Sequence, residues 1–568
     1  MNVSTSATDT AVAARADDMG QLENYAQELR RLGHCVTVLS KKGTEVRKVA
    51  REAAKRKWTF DNKGSGITFT DDAVHGLSET LNSIEDNSDY FYGFVLMYAW
   101  ARHVLQNGVY CLAYDFTHCD TGTLASFVAI DSNRNVLPLG HAHFADNENN
   151  ATATASVRQA VADVPDLNDP RVVFVRDGRR ELRTAITANA PRARQFSCVN
   201  HAAAAASHTV GGISKAVAVQ QYQAMARALN QGSYDKAKAE VAHSLWQYVT
   251  HTPDTPAQRF LFPFAEDGGK MPASLPNSEA WAMPLPRTTS QFGEKMNHIT
   301  KHSGARGVPS PLEMMRLLLE DDVKRCDGRR VESTRCTDAC PPRMRMMLAR
   351  LLNRVRDGGF RIDSAAADTF RFYPAYTPPG QGRRPRNWFH LVRCDGQPSE
   401  WTCACGLKKV TGFPCECLAA VAVQKKGVPD IAQLVDSEYT TAVWQAQYNF
   451  NFAATLPGSV PDGPPSRLKL PVFLPTKPGR PKRGRILSPG EPGSGAKRRR
   501  TVAPSGDEVA SQTAAALTAA AGADDAGPMA NAPALPAPPR ASRQYGCRRC
   551  GAPVRKGCGC KNQPRIFR

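Results

Sequence analysis

Apolar and polar positions alternate most clearly between residues 109 and 145. Three apolar runs, Val109–Phe116, Thr123–Ile130 and Val136–Phe144, are separated by Asp120-Thr121-Gly122 and Asp131-Ser132-Asn133. Clusters of Gly, Asn and Asp between apolar runs are typical of hairpin connections. The pattern therefore predicts a three-stranded meander.

The next segment alternates between helical and strand patterns. It predicts a helix at Asn149–Val164, a strand at Arg171–Arg176, a helix at Arg179–Asn189 and a strand at Gln195–Val199. The order β-β-β-α-β-α-β predicts a mixed α/β sheet flanked by helices. A helical pattern then runs from residue 202 to 249, and we expect a helical insertion over about 202–286.

Further helices are predicted around this core. Residues 21–60 have a helical pattern, and Tyr90–Gln106 has the pattern of one buried helix. Ser310-Pro311-Leu312-Glu313 predicts a helix start, because Ser can cap, Pro suits the first position and Glu can reach back to the cap. That helix is predicted to reach Val323. Another helix is predicted at Met344–Val355, and short strands at Phe370–Tyr373 and Trp388–Val392.

Composition narrows the class of protein. The chain has 568 residues, 73 Lys and Arg against 53 Asp and Glu, a net charge of +20 and 16 cysteines. This length allows two to four domains. No apolar stretch predicts a membrane span or a secretory signal. Half of the cysteines fall into two short clusters with metal-ligand spacing, which favours a reducing, intracellular, zinc-binding protein over a disulfide scaffold.

The positive charge is concentrated near the C-terminus. Residues 463–568 contain 20 Lys and Arg and 5 Asp and Glu, so they carry most of the net charge. The segment is also rich in Pro and Ala, which predicts a disordered basic tail. A flexible polycation inside a cell most commonly binds nucleic acid.

Two aspartates follow predicted strands. Asp115 comes after the apolar run that begins at Tyr110, and Asp177 comes after Val172–Arg176. Ends of adjacent strands share one edge of a sheet, so the two carboxylates could converge on a divalent cation. Asp177 could instead cap the following helix. A third ligand is needed for two-metal phosphoryl chemistry.

The stretch from Asp115 through the meander, Val175-Arg176-Asp177-Gly178 and Cys198-Val199-Asn200-His201 resembles the catalytic domain of Mutator-like element transposases. The resemblance implies an RNase H-like α/β core with an Asp-Asp-Glu triad that binds Mg²⁺ or Mn²⁺. The segment 288–297 resembles the part that holds the glutamate, which implies Glu294 as third ligand. Its competitors Glu320, Asp321 and Asp322 are predicted to lie at the solvated end of a helix. Cys198 and His201 match a Cys-x-x-His element near the active site, or they are a buried Cys and a satisfied His.

Four cysteines have the spacing of a tetrahedral zinc site. Cys403 and Cys405 are followed after nine residues by Cys415 and Cys417, which predicts a structural Zn²⁺, although four unrelated buried thiols would be the alternative. The arrangement resembles a SWIM zinc finger, with Cys417 at a position where that motif normally has His. A second possible four-cysteine site, similar to a C-terminal zinc knuckle, consists of Cys547, Cys550, Cys558 and Cys560.

The tail contains a motif that resembles an AT-hook, Pro478–Arg485. Its DNA-binding candidates are Arg480, Lys482, Arg483 and Arg485, which would lie in a narrow minor groove. Lys497–Arg500 predicts nuclear import. The alternative for both segments is a solvated, nonspecific polycation.

These features give a predicted domain order and a predicted function. The resemblance implies a DNA transposase that cuts and joins transposon ends as a homo-oligomer in the nucleus. There are two alternatives. One is a non-catalytic, transposase-derived regulator that binds DNA, and the other is a zinc-dependent scaffold. The predicted parts are a mainly helical N-terminal region (1–104), the catalytic domain (105–325), a linker with helix (326–385), the zinc finger (386–430), a post-finger helical segment (431–462), the basic tail (463–545) and the possible knuckle (546–568).

Overall fold

A seven-stranded mixed sheet flanked by helices forms the centre of this α/β protein. The strands are β1 Cys35–Lys42, β2 Asp89–Met97, β3 Cys111–Cys119, β4 Gly122–Ile130, β5 Val136–Phe144, β6 Val173–Arg176 and β7 Arg194–Ser197. Their order in the sheet is β1-β2-β5-β4-β3-β6-β7. The computed structural model describes residues 19, 21–48, 51, 83–119, 121–146, 148–271, 273–274, 285–286, 293, 296–297, 299–300, 310–374, 389–428, 430–459 and 468–469.

Helices cover both faces of the sheet. The helices are α1 (residues 21–31), α2 (residues 43–48), α3 Ala101–Gln106, α4 Asn150–Asp163, α5 Arg180–Asn189, α6 Val199–Thr209, α7 Lys215–Ala226, α8 Gln231–Glu240, α9 His243–His251, α10 Pro256–Arg259, α11 Leu261–Glu266, α12 Pro311–Arg335, α13 Pro342–Asp357, α14 Leu407–Thr411, α15 Glu416–Lys425 and α16 Thr441–Tyr448. One face shares a core with α1, α3, α4, α5, α12 and α16, and the other with α6, α7, α9 and α11. Burial of apolar side chains on both faces is what holds such a layered fold together.

The predicted meander is confirmed. Strands β3, β4 and β5 pair antiparallel in sequence order. Gly122 lies at the β3–β4 turn with a φ of 137°, and a side-chain carbon there would collide with the carbonyl oxygen of Phe144. Only glycine satisfies both conditions, which fixes this turn.

The two later strands add in parallel. β6 pairs with β3 and β7 pairs with β6, and the predicted helices α4 and α5 provide the two crossovers. Asn149 caps α4 by accepting hydrogen bonds from the backbone N–H groups of Ala151 and Thr152, at 2.8 and 3.1 Å. The predicted order β-β-β-α-β-α-β is therefore correct for this part of the chain.

The prediction of one buried helix over Tyr90–Gln106 is wrong. Asp89–Met97 is strand β2, which lies between β1 and β5, and only Ala101–Gln106 is helical. A strand buried on both faces has a continuous apolar run, and such a run does not distinguish a strand from a helix. The helix predicted over 21–60 is likewise interrupted by β1, which begins after Gly33 with its φ of 91°.

A smaller part of the fold contains the four-cysteine segment. Two short strands, β8 Ala273–Ser274 and β9 Leu285–Pro286, pair with each other. The strands of the smaller sheet are β10 Arg361–Ala366, β11 Thr369–Tyr373, β12 His390–Arg393 and β13 Thr402–Cys403. Their order in the sheet is β10-β11-β12-β13, and α13 and α15 pack on it in one apolar core. The helix predicted at Met344–Val355 is confirmed and slightly longer.

One residue of the predicted basic tail (463–545) pairs with the main sheet. The backbone N–H of Lys469 donates to the carbonyl of Asp89 at 2.8 Å, and the Lys469 carbonyl accepts from the N–H of Phe91 at 3.0 Å. Its neighbour Leu468 packs against the core that α1 and α12 share with the sheet. Across the described ranges, no helix has the length and apolar character needed to cross a bilayer.

Candidate metal centres

Asp115, Asp177 and Cys198 occupy one row across the sheet. In the parallel pairing of β3 with β6, Tyr114 is opposite Arg176, so Asp115 and Asp177 are the next residues on the two strands. The backbone N–H of Cys198 donates to the carbonyl of Arg176 at 2.6 Å, which continues the parallel pairing to β7. Neighbouring strands lie about 4.8 Å apart, so the three backbones are adjacent at this edge.

Asp115 lies on the face of the sheet that α6 and α7 cover. Ala113, two positions before it, belongs to the core under these helices, and side chains two positions apart in a strand point the same way. Asp177 is the first residue after β6. Asp115 does not end its strand as predicted, because β3 continues to Cys119 against β4. What ends at Asp115 is the pairing with β6. β4 is nine residues long and β6 only four, so β3 loses its partner on one side before it ends on the other. The sequence of β3 alone does not reveal this difference.

Asp115 is half-buried beside a second segment of the chain. Its Oδ2 oxygen accepts a hydrogen bond from Asn297 Nδ2 at 3.1 Å, and its Oδ1 oxygen accepts one from the backbone N–H of Phe116 at 3.0 Å. A side-chain carbon on Gly293 would lie 3.2 Å from the Cβ atoms of both Ala113 and Asp115. The backbone at residue 293 therefore closely approaches Asp115.

The predicted third ligand, Glu294, lies outside the described residues. Its described neighbours in sequence, Gly293 and Asn297, both have helical backbone and both contact Asp115. The Oδ1 oxygen of Asn297 is buried and has no hydrogen-bond partner. Two described residues of the segment that the family resemblance selected, Gly293 and Asn297, thus lie next to the first aspartate.

Asp177 is bound to Arg179. Its Oδ1 oxygen accepts from the backbone N–H of Arg179 at 2.8 Å, and its Oδ2 oxygen lies 3.2 Å from Arg179 Nε. The predicted alternative role as a cap is therefore present in part, since the carboxylate accepts a backbone N–H just before α5 begins. Asp177 remains 15 % exposed in its side chain, which leaves it accessible.

Sequence reasoning missed Glu148 in this area. Arg179 Nη1 donates to Glu148 Oε2, so one guanidinium joins Glu148 and Asp177. Burial raises the pKa of Glu148, the charge of Arg179 opposes this, and the nearby Asp177 adds to the rise. Nothing in the sequence marks this residue, since it simply precedes the Asn149 cap.

The prediction that Asp322 lies at the solvated end of a helix is wrong. Asp322 is 1 % exposed. Its Oδ2 oxygen accepts from the Tyr98 hydroxyl at 2.8 Å and lies 2.9 Å from His141 Nε2, and its Oδ1 oxygen accepts from Arg325 Nη1 at 3.0 Å. The helix α12 is longer than predicted, so residue 322 is in its middle and faces the sheet.

Ser126, His141 and Asp322 form a line of hydrogen-bonded groups. Ser126 Oγ lies 3.0 Å from His141 Nδ1, and the other ring nitrogen contacts Asp322. This order resembles a serine hydrolase triad, but Ser126 and His141 are fully buried. No substrate reaches the hydroxyl, so the line is a structural polar network in the core.

Cys198 and His201 lie together at the start of α6. Cys198 is fully buried at the position before the helix, and His201 is half-buried in the first turn. The row described above brings Cys198 close to Asp177. This agrees with the predicted position near the two aspartates, and it agrees equally with a structural role.

The four cysteines of the predicted zinc site come together. One Sγ atom from each of Cys403, Cys405, Cys415 and Cys417 lies within 4.8 Å of the other three, which makes this the one group of its kind within the described ranges. Cys403 ends β13, and Cys415 caps α15 by accepting a hydrogen bond from the Leu418 N–H at 3.4 Å. The group can hold a metal ion.

The donor set fits zinc. Four sulfur ligands in a compact group are typical of a structural tetrahedral Zn²⁺. Hydrogen bonds from the other three thiols hold the pKa of Cys405 well below its usual range, whereas hydrogen bonds with Cys405 and Cys415 raise the pKa of both Cys403 and Cys417. Thiols this close together can release their protons and bind a cation instead.

The other predicted sites lie outside the described residues. These are the possible knuckle and the AT-hook-like motif with its neighbouring basic run: Cys547, Cys550, Cys558, Cys560, Arg480, Lys482, Arg483, Arg485 and 497–500.

Comparison with known proteins identifies no family for this chain. No protein-family model matches the sequence, and no curated protein matches it.

Proposed function

We propose that this protein is a DNA transposase of the Mutator-like type with a metal-dependent RNase H-like catalytic core. The observation that carries the proposal is the row in which Asp115 and Asp177 are adjacent on parallel strands, with Gly293 and Asn297 against Asp115. Glu294 lies between these last two residues in sequence and is the proposed third ligand.

The topology supports an RNase H-like core. Three antiparallel strands are followed by two parallel strands that add next to the first, with a helix in each crossover. This arrangement brings the end of β6 beside the middle of β3. Two carboxylates at that junction are the minimum for a site that binds a hard divalent cation.

The chain's own residues would position the carboxylates. Asn297 orients Asp115 by donating to Oδ2, and Arg179 holds Asp177. When bound by Asp115, Asp177 and Glu294, two Mg²⁺ or Mn²⁺ ions would activate water and then a DNA 3′-hydroxyl for in-line attack on phosphodiesters. The Oδ1 oxygen of Asn297, which has no hydrogen-bond partner, would be a further oxygen ligand for a cation bound at Asp115.

The four-cysteine group supports a zinc finger of the SWIM type. Its spacing and its position after the α/β core both correspond to the resemblance, and Cys417 replaces the usual His. Zinc accepts either ligand. The basic tail would then bind the DNA backbone through charge, with the AT-hook-like motif in the minor groove, in a nuclear homo-oligomer assembled on transposon ends.

The test is cleavage of DNA that carries the sequences flanking the protein's own gene. The purified full-length chain is incubated with this linear DNA in Mg²⁺, Mn²⁺ or EDTA. The variant is Asp177→Asn, and the matched control is Asp235→Asn, which changes an exposed carboxylate on α8 that accepts hydrogen bonds from Gln231. We expect metal-dependent cuts at defined ends in the wild type and the control, and none in Asp177→Asn.

One observation favours the alternative of a non-catalytic DNA-binding regulator. Both oxygens of Asp177 are already engaged by Arg179, so the carboxylate is neutralised without a metal. If the wild type binds the DNA but cuts it in neither metal, and Asp177→Asn binds equally well, the regulator is the better description.

A further inference from the structure

A cavity of about 470 Å³ lies at the opposite end of the strands from the two aspartates. It lies beside the start of β3 and β6 and the end of β4. Residues 268–270 of the helical insertion and residues of the post-finger segment between 438 and 447 close it. The lining residues that matter here are Arg134, Arg171, Arg194, Lys270, Asp131 and Glu438. A cavity of this size suits a small molecule.

Arg134 is the unusual residue in its wall. The side chain is 2 % exposed, and none of its three guanidinium nitrogens has a hydrogen-bond partner. It is also the one residue other than glycine with a positive φ in the described ranges, at 66°. Burial lowers the pKa of Arg134. A buried guanidinium without a hydrogen-bond partner is costly, because it has lost its hydration and the attraction of the nearby Asp131 replaces this in part only.

The other charges of the wall do not neutralise Arg134. Arg171 forms an ion pair with Asp169 at 2.9 Å, and Lys270 forms one with Asp436 at 2.6 Å. Arg194 donates to two neutral acceptors, the carbonyl of Pro170 at 3.1 Å and the carbonyl of Asp267. Among the described residues, Arg134 and Arg194 therefore have no ion pair with a carboxylate.

The two acidic groups of the wall have other surroundings. Asp131 accepts hydrogen bonds from the Asn135 backbone, Trp444 and Tyr448, at 2.6, 3.2 and 2.9 Å. Glu438 is half-buried; burial raises its pKa, and the nearby charges of Lys270 and Arg134 oppose this rise. Glu438 therefore lies close enough to Arg134 to compete with a bound anion for its charge.

We infer that this cavity binds the phosphate group of a small phosphorylated molecule, with Arg134 and Arg194 as its principal charged contacts. A guanidinium presents a planar set of donors that matches phosphate oxygens, and a site that excludes water strengthens each contact. The ligand would touch the sheet, the helical insertion and the post-finger segment together. The site is separate from the proposed catalytic carboxylates and does not depend on DNA cleavage.

The test measures binding of inorganic phosphate and pyrophosphate to the full-length protein by thermal shift and calorimetry. The variant is Arg134→Met, which keeps the side-chain length and removes the charge. The matched control is Arg350→Met, because Arg350 is an exposed arginine on α13 outside the cavity. We expect saturable stabilisation by the anion in the wild type and the control. The anion affinity of Arg134→Met should be lower than that of the wild type by about tenfold or more.

Two further arms make the result decisive. Without added anion, Arg134→Met should melt at a higher temperature than the wild type, because an unpaired buried charge is gone. Glu438→Gln should bind pyrophosphate several-fold more tightly, because a competing carboxylate is removed. Competition by dAMP and by a 5′-phosphorylated trinucleotide then separates a free nucleotide from a DNA end as the source of the phosphate.

Three results would overturn the inference. The first is no saturable binding in either the wild type or Glu438→Gln. The second is equal pyrophosphate affinity in the wild type and Arg134→Met. The third is a strong loss of stability in Glu438→Gln without any gain in anion affinity, which would identify Glu438 as the internal partner of Arg134.

Discussion

The imidazole Nε2 of His141 lies 2.9 Å from the Oδ2 oxygen of Asp322, and both side chains are buried. This contact joins the β5 strand of the sheet to the middle of α12. The Tyr98 hydroxyl donates to the same oxygen, so three elements meet at one carboxylate. A buried carboxylate with this many partners fixes how α12 packs on the sheet.

Replacement of Asp322 should strongly destabilise the fold. Asp322→Ala leaves Tyr98 and His141 buried without their acceptor, and breaking a buried polar pair from one side costs about 3–5 kcal/mol. The matched control is Asp321→Ala, one residue earlier and only half-buried. Chemical denaturation followed by tryptophan fluorescence measures both. Equal midpoints for the two variants would show that the network contributes little.

Two buried histidines predict a loss of stability in weak acid. Burial lowers the pKa of His34 and of His143 to about 4, below the value near 6.5 of an unfolded chain. Between these values the unfolded state binds more protons than the folded state, so the unfolding free energy falls as the pH falls from about 6.5 towards 4. Above about pH 7 these two residues contribute no pH dependence.

The size of this effect can be isolated with a variant. Each histidine should account for about 2 kcal/mol of lost unfolding free energy between pH 7.5 and pH 5. His143→Gln should remove that part of the dependence, whereas the exposed His118→Gln should not. Denaturation curves at the two pH values give the comparison. A variant that loses as much stability as the wild type would refute the assignment to His143.

The four-cysteine group should hold one zinc ion per chain. Cys415→Ser should lower the zinc content by one ion relative to the wild type and lower the melting temperature, because Cys415 and Cys417 belong to the core of this region. Cys417→His should retain the zinc, since imidazole nitrogen is also a good zinc ligand. Elemental analysis of the purified variants measures the content directly.

A nearby cysteine provides the control for this measurement. Cys394 is also buried in the same core but lies outside the four-cysteine group. Cys394→Ser should therefore keep the full zinc content even if it melts at a lower temperature. Unchanged zinc in Cys415→Ser would exclude the group as a zinc site.

The sequence pattern predicted the elements that clear turn residues bound or that have one apolar face. The meander has turn residues at 120–122 and 131–133, α4 and α5 have one apolar face, and all of them were predicted within a few residues. Strand β2 could not be distinguished from a helix, because both of its faces are buried and no Gly, Asn or Asp cluster separates it from α3. Asp322 was misplaced for a related reason, since the sequence shows its charge and not the partners that the fold provides.

The candidate site was predictable where spacing carries the information. Four cysteines at close intervals are sufficient to predict a cluster. The adjacency of Asp115 and Asp177 follows from strand order, which the alternation of strands and helices indicates. The pairings of Arg179 with Glu148 and Asp177, and the unpartnered Arg134, depend on the packing of distant segments and have no signal in the sequence.

Gly293 should matter for the proposed cleavage because of its closeness to Asp115. Gly293→Ala places a methyl group 3.2 Å from the Cβ of Asp115, a distance that forces a shift of a few tenths of an ångström. We expect DNA cleavage to fall about tenfold, because small misplacements of a catalytic group are costly. Gly178→Ala is the control, since its added carbon meets no atom within 4 Å. Equal cleavage rates for the two variants would exclude Asp115 positioning by this segment.

Arg179 should compete with a divalent cation for Asp177. Its side chain contacts Asp177 Oδ2 at 3.2 Å and also Glu148, so the guanidinium already supplies positive charge where the proposed metal would bind. Arg179→Met should therefore tighten Mn²⁺ binding several-fold, measured by calorimetry on the full-length protein without DNA. Arg180→Met, the exposed neighbour, should leave the affinity unchanged. Weaker Mn²⁺ binding in Arg179→Met would mean that Arg179 supports the metal site by orienting Asp177, and Mn²⁺ binding that neither variant alters would place the cation away from Asp177.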